Sequence, residues 1–323
     1  MKKIAVLLLA LLLIPCAALG ETVKVSEVTH SVFYAPQYVA LGLGFFEEEG
    51  LQIDLMNGGG ADKVMTSVLT GEADIGLAGP EACIYVLLAE HDDAPRVFAQ
   101  LTCRDGSFLV GREAEDFSWE NLKGKQIIGG RKGGMPEMTL EYVMKQHGVV
   151  PGVDAQVDTS VQFNMMAGAF IGGDADYVAL FEPTATEAEL AGQCVVLTSI
   201  GKESGEIPYT AYFAAQSFLN EKADAVQRFV NAVYRGQQWV YDHTDAEVAE
   251  VLLPFFPDTS LEVMTQVVAR YREIKAWNPI PAMKRSALER LETVMESAGE
   301  LEQRVDFEKL VDNSFAFQAL ENN

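Results

Sequence analysis

Apolar and polar positions alternate along this chain between two periods, short runs of strand length and longer stretches repeating every three to four residues. The short runs fall at residues 24–28, 52–56, 75–78, 97–102, 107–110 and 126–128, and each predicts a strand. Between them, helical patterns occupy residues 36–41, 61–70, 82–90 and 135–146. Strand followed by helix, several times over, predicts an α/β fold with largely parallel sheets. After Ser217 the pattern becomes helical, with Val226, Phe229, Val230, Val233 and Tyr234 forming one apolar stripe. Thr244 with Glu247, and Thr259 with Glu262, have the spacing of capping boxes at two further helix starts. A helix over 283–297 and a docking segment over 305–310 complete the pattern, and this region is expected to pack around the first lobe.

The strongest feature is an internal echo. Residues 57–85 read as a glycine turn, a helix, a small-acidic-Ala-Asp step and an apolar strand running into a glutamate; residues 163–183 repeat that order. Asp74 matches Asp176 at an offset of 102, Glu81 matches Glu182 at 101, and Ala35-Pro36-Gln37 matches Met135-Pro136-Glu137 at 100. A near-constant offset over different surrounding sequence predicts two lobes of one build. Extended segments at 107–110 and 206–215 would carry the chain between them, so lobe one takes 21–105 plus 211–323 and lobe two takes 106–210. Ligands of open α/β sheets bind at the carboxyl ends of strands. This directs attention to Glu81 and Glu182, expected to face each other as a clamp.

Composition narrows the class. With 323 residues, 49% of them hydrophobic, the chain can bury two cores of ordinary size. Lys2 and Lys3 precede an apolar run that Pro15 breaks, followed by Ala18-Leu19-Gly20, so residues 1–20 read as a signal peptide and the protein as exported. Cys16 leaves lipidation as the alternative, although Pro15 stands where a small residue is wanted. Removal of residues 1–20 deletes two lysines and no acid, taking the net charge from −23 to −25, which disfavours nucleic acid and anionic membrane as partners. Cys83, Cys103 and Cys194 have no metal-ligand spacing, and neither a metal nor a cofactor is expected.

Catalytic constellations are sparse. His30, His91, His147 and His243 lie in loops or at helix ends with no paired motif, and only His30 is near a predicted strand end. The triple glycine 58–60 lacks the lysine and spacing of a phosphate loop and reads as a tight turn. Glu81 and Glu182 have the residue types of a glycosidase acid/base pair, but symmetric positions fit a ligand clamp at least as well.

Several segments carry a family resemblance: Tyr34-Ala35-Pro36-Gln37-Tyr38-Val39-Ala40 followed by 44–51 (GFFEEEGL), Gly71-Glu72-Ala73-Asp74-Ile75-Gly76, Leu122-Lys123-Gly124-Lys125, and Val305-Asp306-Phe307. From about residue 24 onward the chain resembles the periplasmic substrate-binding proteins of ABC importers, in the group of nitrate, taurine, aliphatic-sulfonate and thiamine-pyrimidine-precursor receptors and the related pyrimidine synthase. The resemblance implies a bilobal periplasmic-binding-protein fold of type II, two α/β lobes joined by two crossover strands. It also implies a non-enzymatic, monomeric receptor that closes on a small molecule and hands it to an ABC permease. Carried onto this sequence, the ligand-binding positions are Tyr34, Gln37, Gly79, Glu81, Asp105, Gly133, Gly134, Glu137, Gln162, Asn164, Phe181, Glu182, Tyr209 and Tyr212. Three glutamates among them favour a nitrogenous or cationic ligand such as a thiamine-pyrimidine precursor, while Arg104, Arg131 and Lys132 keep a sulfonate or nitrate open. A pyrimidine-synthase-like enzyme is the further alternative.

Overall fold

The computed structural model describes residues 20–322. The expected signal peptide, apart from Gly20, and Cys16 lie outside the described residues. Among the described residues, ten strands follow in chain order: β1 (Glu21–Glu27), β2 (Leu51–Asn57), β3 (Ile75–Ala78), β4 (Arg96–Thr102), β5 (Ser107–Gly111), β6 (Gln126–Ile128), β7 (Gln156–Asp158), β8 (Tyr177–Phe181), β9 (Val195–Ser199) and β10 (Thr210–Ala214). They form two sheets, β2-β1-β3-β10-β4 and β7-β6-β8-β5-β9. In the first, β1 runs parallel to β2 and β3 while β10 is antiparallel to β3 and β4. In the second, β6 runs parallel to β7 and β8 while β5 is antiparallel to β8 and β9. The two plans are the same, and in each the antiparallel strand is the one that enters from a crossing. The fold is bilobal α/β.

The repeated aspartates explain part of this likeness. Asp74 takes a hydrogen bond from the Lys24 backbone N–H at 2.8 Å, and the Asp74 N–H donates back to the Lys24 carbonyl at 2.9 Å. Asp176 does the same with Gln126, at 2.9 Å in both directions. Each aspartate thus sets the strand that follows it, β3 or β8, in register with its parallel neighbour, β1 or β6, satisfying a donor at the sheet margin that would otherwise be lost. The prolines Pro36 and Pro136 also play matched parts, each in the first turn of its helix, Ala35–Gly42 and Met135–Gln146. There a missing N–H costs nothing.

The glutamates do not match. Pro80 and Pro183 are the equivalent residues, each the N-cap of the helix that follows its strand, Glu81–Leu88 and Thr184–Leu190. Glu81 follows its proline and Glu182 precedes its own. β8 carries one residue more than β3, so the expected equivalence of the two carboxylates fails by register.

Two apolar cores support the sheets, one including Val25, Leu77, Phe98, Tyr212, Phe229 and Tyr271, the other Leu109, Ile127, Phe170 and Val178. The long amphipathic helix Ala223–Asp242 buries Val226, Phe229, Val230 and Val233 against the first sheet's helices. Thr244 and Glu247 form the expected capping box. The cap expected at Thr259 is instead Ser260, whose hydroxyl accepts from the Val263 N–H at 3.2 Å; the Thr259 hydroxyl donates to Glu187 Oε1 at 3.0 Å.

Candidate functional site

The carboxyl ends of β1, β3, β6 and β8 converge on one cavity of about 100 Å³ between the sheets. From the first lobe come Val28, Ser31, Phe33, Tyr34, Gly60, Ala61, Gly79 and Glu81; from the second, Gly130, Arg131, Gly134, Met135, Pro136, Phe163 and Phe181; Tyr209 and Thr210 enter from the second crossing. Five aromatic rings dominate the wall. Phe33 meets Phe181 edge-on with centroids 5.7 Å apart and Tyr209 at 5.6 Å, and Phe163 meets Phe181 at 5.4 Å. These are distances at which rings attract through their quadrupoles as well as through burial. Gly106 allows the packing, because a Cβ there would lie 2.5 Å from the Phe33 ring.

One carboxylate sits in this apolar box. Glu81 is 3% exposed, and its Oε2 has no hydrogen-bond partner among the described residues. It is the first residue of the helix Glu81–Leu88 and folds back over Gly79, where a Cβ would stand 1.9 Å from Oε2, so a larger residue there would displace the carboxylate from this position. Burial pushes its pKa up to about 7; its own backbone N–H, the Arg131 guanidinium and the Met135 N–H of the opposite lobe offset part of that. Two other helices, Ala61–Leu69 and Met135–Gln146, open at the same cavity through Gly60 and Gly134 without a side-chain cap. Their positive ends favour an anion or a carboxylate nearby. Chemically, the site can surround a planar ring with aromatic faces and offer one strong acceptor to its edge.

Toward solvent, Ala61, Glu81 and Arg131 are shared with an outer vestibule of about 470 Å³. The loop preceding the helix Met135–Gln146 spans its mouth. Arg131 pairs with Asp62 at 3.4 Å and Lys132 with Glu300 at 3.8 Å, while the Tyr85 hydroxyl donates to the Gly133 carbonyl at 3.2 Å.

Of the residues expected at the site, Tyr34, Gly79, Glu81, Gly134, Phe181 and Tyr209 line the cavity, and Gly133 lines the vestibule. Asn164 borders a neighbouring recess that shares Thr29, Phe163 and Phe181 with the cavity. Gln37 and Tyr212 are buried in the first lobe's core: the Gln37 amide donates to Glu27 Oε2 at 2.9 Å and accepts from the Tyr212 hydroxyl at 3.0 Å. Gln162 is exposed, and Phe163 beside it turns to the cavity instead. Glu137 closes its own helix's entry loop, accepting from the Gly133 N–H at 3.1 Å, and Asp105 lies behind Tyr209 bonded to Ser107. Glu182 is the clearest correction. It does not face Glu81; its buried carboxylate accepts from Arg270 at 2.9 Å and from the Thr186 hydroxyl at 2.9 Å. His30 points away as well, bonded to Tyr38, Glu27 and the Phe255 carbonyl.

The sequence pattern does not single out Phe33, Phe163 or Ser31 for the wall, and it marks Gly60 only as part of a tight turn. Adjacency was the available signal for the rings, since Phe33 precedes Tyr34 and Phe163 separates Gln162 from Asn164.

The family model described as NMT1/THI5 like matches residues 32–247. This chain belongs to the NMT1/THI5-like family. A Bacillus subtilis (strain 168) relative named "Putative binding protein YtlA" is 43% identical over 91% of this chain and 88% of its own length. An Aspergillus parasiticus relative, 4-amino-5-hydroxymethyl-2-methylpyrimidine phosphate synthase, is 27% identical over 68% of this chain and 67% of its own. Among solved structures, the alkanesulfonate-binding protein SsuA from Xanthomonas axonopodis pv. citri, bound to MOPS, superposes with a TM-score of 0.74 at 15% identity, over 92% of this chain and all (100%) of that one. At that identity the likeness establishes the fold.

Proposed function

We propose that this NMT1/THI5-like protein is an extracytoplasmic substrate-binding receptor that closes its two lobes on a small planar nitrogenous ring and delivers it to an ABC permease. The observation that carries the ligand class is the free Oε2 of Glu81, buried among Phe33, Tyr34, Phe163, Phe181 and Tyr209. Burying a carboxylate in an apolar cavity is costly, and a ligand N–H supplies the donor that Oε2 lacks among the described residues. The receptor reading is supported by the relative with 43% identity and by the bilobal fold. The pyrimidine reading draws on the name of the more distant synthase. Export, a single-chain receptor, and lobes divided at residues 105–106 and 210–211 belong to the same proposal.

A sulfonate is the second reading, favoured by Arg131 at the cavity and by the open helix ends beside it. Titration calorimetry with 4-amino-5-hydroxymethyl-2-methylpyrimidine and with a short alkanesulfonate separates the two. The first reading expects pyrimidine binding that Glu81→Gln weakens strongly. Sulfonate binding that Glu81→Gln leaves equal or improves would overturn it.

A further inference from the structure

His30 stands in the middle of the segment that lines the first lobe's side of the cavity, yet its ring faces the other way. Val28, Thr29, Ser31, Phe33 and Tyr34 border the cavity. The imidazole instead reaches three elements. Its Nε2 lies 2.7 Å from the Phe255 carbonyl, its Nδ1 lies 2.7 Å from the Tyr38 hydroxyl and 3.3 Å from Glu27 Oε1, and its ring stacks on Phe256 with centroids 4.5 Å apart. Glu27 ends β1, Tyr38 is on the helix Ala35–Gly42, and Phe255 closes the short turn Leu253–Phe255.

The hydrogen bonds fix the state of this ring. A carbonyl only accepts, so Nε2 carries a hydrogen. The Tyr38 hydroxyl has one hydrogen, kept by burial, and its oxygen lies 2.6 and 2.8 Å from the two Glu27 oxygens, so that hydrogen points at the carboxylate. Nδ1 then needs a hydrogen of its own to meet the Tyr38 oxygen. Placing the extra proton on Glu27 would satisfy the same contacts, but imidazole is the more basic group. Water solvates a charge on the half-exposed ring, while Tyr38, His30 and the Gln37 amide, at 2.9 Å, donate to the buried carboxylate. The pair is therefore an imidazolium beside a carboxylate.

Loss of one proton sets two acceptors against one donor. A neutral ring that keeps Nε2–H leaves Nδ1 and Glu27 competing for the single Tyr38 hydrogen, and a ring that keeps Nδ1–H turns a lone pair on the Phe255 carbonyl. Either way a contact that holds the loop is lost. The titratable groups against the imidazole are Glu27 and Tyr38, and residues 253–256 bring no titratable side chain to it. Behind Glu27 stand Tyr34 and Tyr212, which burial keeps protonated.

Resting on the reading of this cavity as the ligand site, we propose that His30 is a positioning residue whose charged form pins the cavity-lining loop, residues 28–34, to the helical segments around Tyr38 and Phe255, so that ligand affinity depends on its proton. It touches no ligand.

Nitrogen NMR of the histidine rings in the ligand-free protein should show both His30 nitrogens protonated at pH 7, with a titration midpoint above the ordinary value of about 6.5. A midpoint at or below that value overturns the charged state. The Trp277 indole N–H, which donates to the Phe33 carbonyl at 3.0 Å, reports on the loop. Its signal should move with the His30 midpoint in the parent protein and stay fixed in His30→Lys, where a cation persists. A signal indifferent to that midpoint overturns the pinning. Calorimetry with 4-amino-5-hydroxymethyl-2-methylpyrimidine at pH 6 and pH 9 reads the consequence for binding. The parent and His30→Lys should bind alike at pH 6, with the parent roughly tenfold weaker at pH 9, the size of one lost hydrogen bond. The ratio of the two affinities cancels the titration of Glu81, which both proteins share. A ratio that does not change with pH overturns the dependence on the His30 proton. If the parent binds no pyrimidine at either pH, the ligand class falls, and the two NMR readouts still decide the state and role of His30.

Discussion

The Arg270 guanidinium donates to Glu182 Oε1 at 2.9 Å, and the glutamate side chain it holds has no solvent exposure. Arg270 stands on the helix Leu261–Glu273, whose Tyr271 belongs to the first lobe's core, while Glu182 follows β8 of the second sheet. The same guanidinium reaches the Thr186 hydroxyl at 2.7 Å and Glu189 at 2.5 Å, and the Tyr271 hydroxyl accepts from the Glu182 N–H at 3.1 Å. The lobes are therefore joined by a buried polar strut in addition to the chain crossings.

Removing one partner of such a pair leaves a buried charge alone. Arg270→Met should lower unfolding free energy by about 3 to 5 kcal/mol, the usual cost of breaking a buried pair from one side. Urea unfolding measures it. A loss under 1 kcal/mol would mean that Glu182 finds another partner.

Glu81→Gln keeps the shape of the cavity and removes the charge. Hydrogen bonds to a charged acceptor contribute about 1.5 to 3 kcal/mol, so pyrimidine affinity should fall roughly tenfold to a hundredfold. Calorimetry above pH 8, where Glu81 is ionised, gives the comparison. Retained affinity would remove Glu81 from the site.

Stability should fall as pH rises from about 5 to 8. Burial, first among the causes, pushes Glu81, Asp105 and Glu137 up to about 7 from ordinary values of 4.5, 3.8 and 4.5. In that window the native state binds more protons than the unfolded chain, so the unfolding free energy decreases with pH. His30, raised by its Glu27 contact, acts in the same direction. The carboxylates held below their ordinary values, such as Glu21 and Asp176, act at more acidic pH. Urea midpoints at pH 5.5, 7 and 8.5 check the slope, and Glu81→Gln should flatten it.

Cys83, Cys103 and Cys194 are free and buried, and burial raises the pKa of each thiol. Because the thiolate is the reactive form, a thiol reagent at pH 7 should modify these three only after denaturation. Rapid reaction in the native protein would show that at least one of them opens to solvent.

The elements were legible where period and punctuation agreed. β3, β6 and the helix Met135–Gln146 fall at the expected residues, because apolar runs there are bounded by glycine, proline or acid. The lobe plan was legible in the repeated aspartate, whose backbone bonds both sheets require. Glu182 shows where sequence reasoning ends. A one-residue difference in strand length moves a side chain from a cavity to an ion pair, and the partner that decides this, Arg270, lies 88 positions away in the chain. Likewise Gln37 and Tyr212 look like polar site residues, yet their partners, Glu27 for the Gln37 amide N–H and the Gln37 carbonyl oxygen for the Tyr212 hydroxyl, are recognisable only after β1, β10 and the helix Ala35–Gly42 pack together.

The interleaving of strands also sets an order in which the molecule can be completed. The second sheet is built wholly from β5 to β9, consecutive in the chain, whereas the first must wait for β10 before β3 and β4 are joined. As the polypeptide lengthens from its N-terminus, the inner lobe can finish while the outer one is still an unclosed half-sheet. The lobe that begins first is therefore the one finished last, and its unpaired strand edges are what a chaperone would meet on the newborn chain.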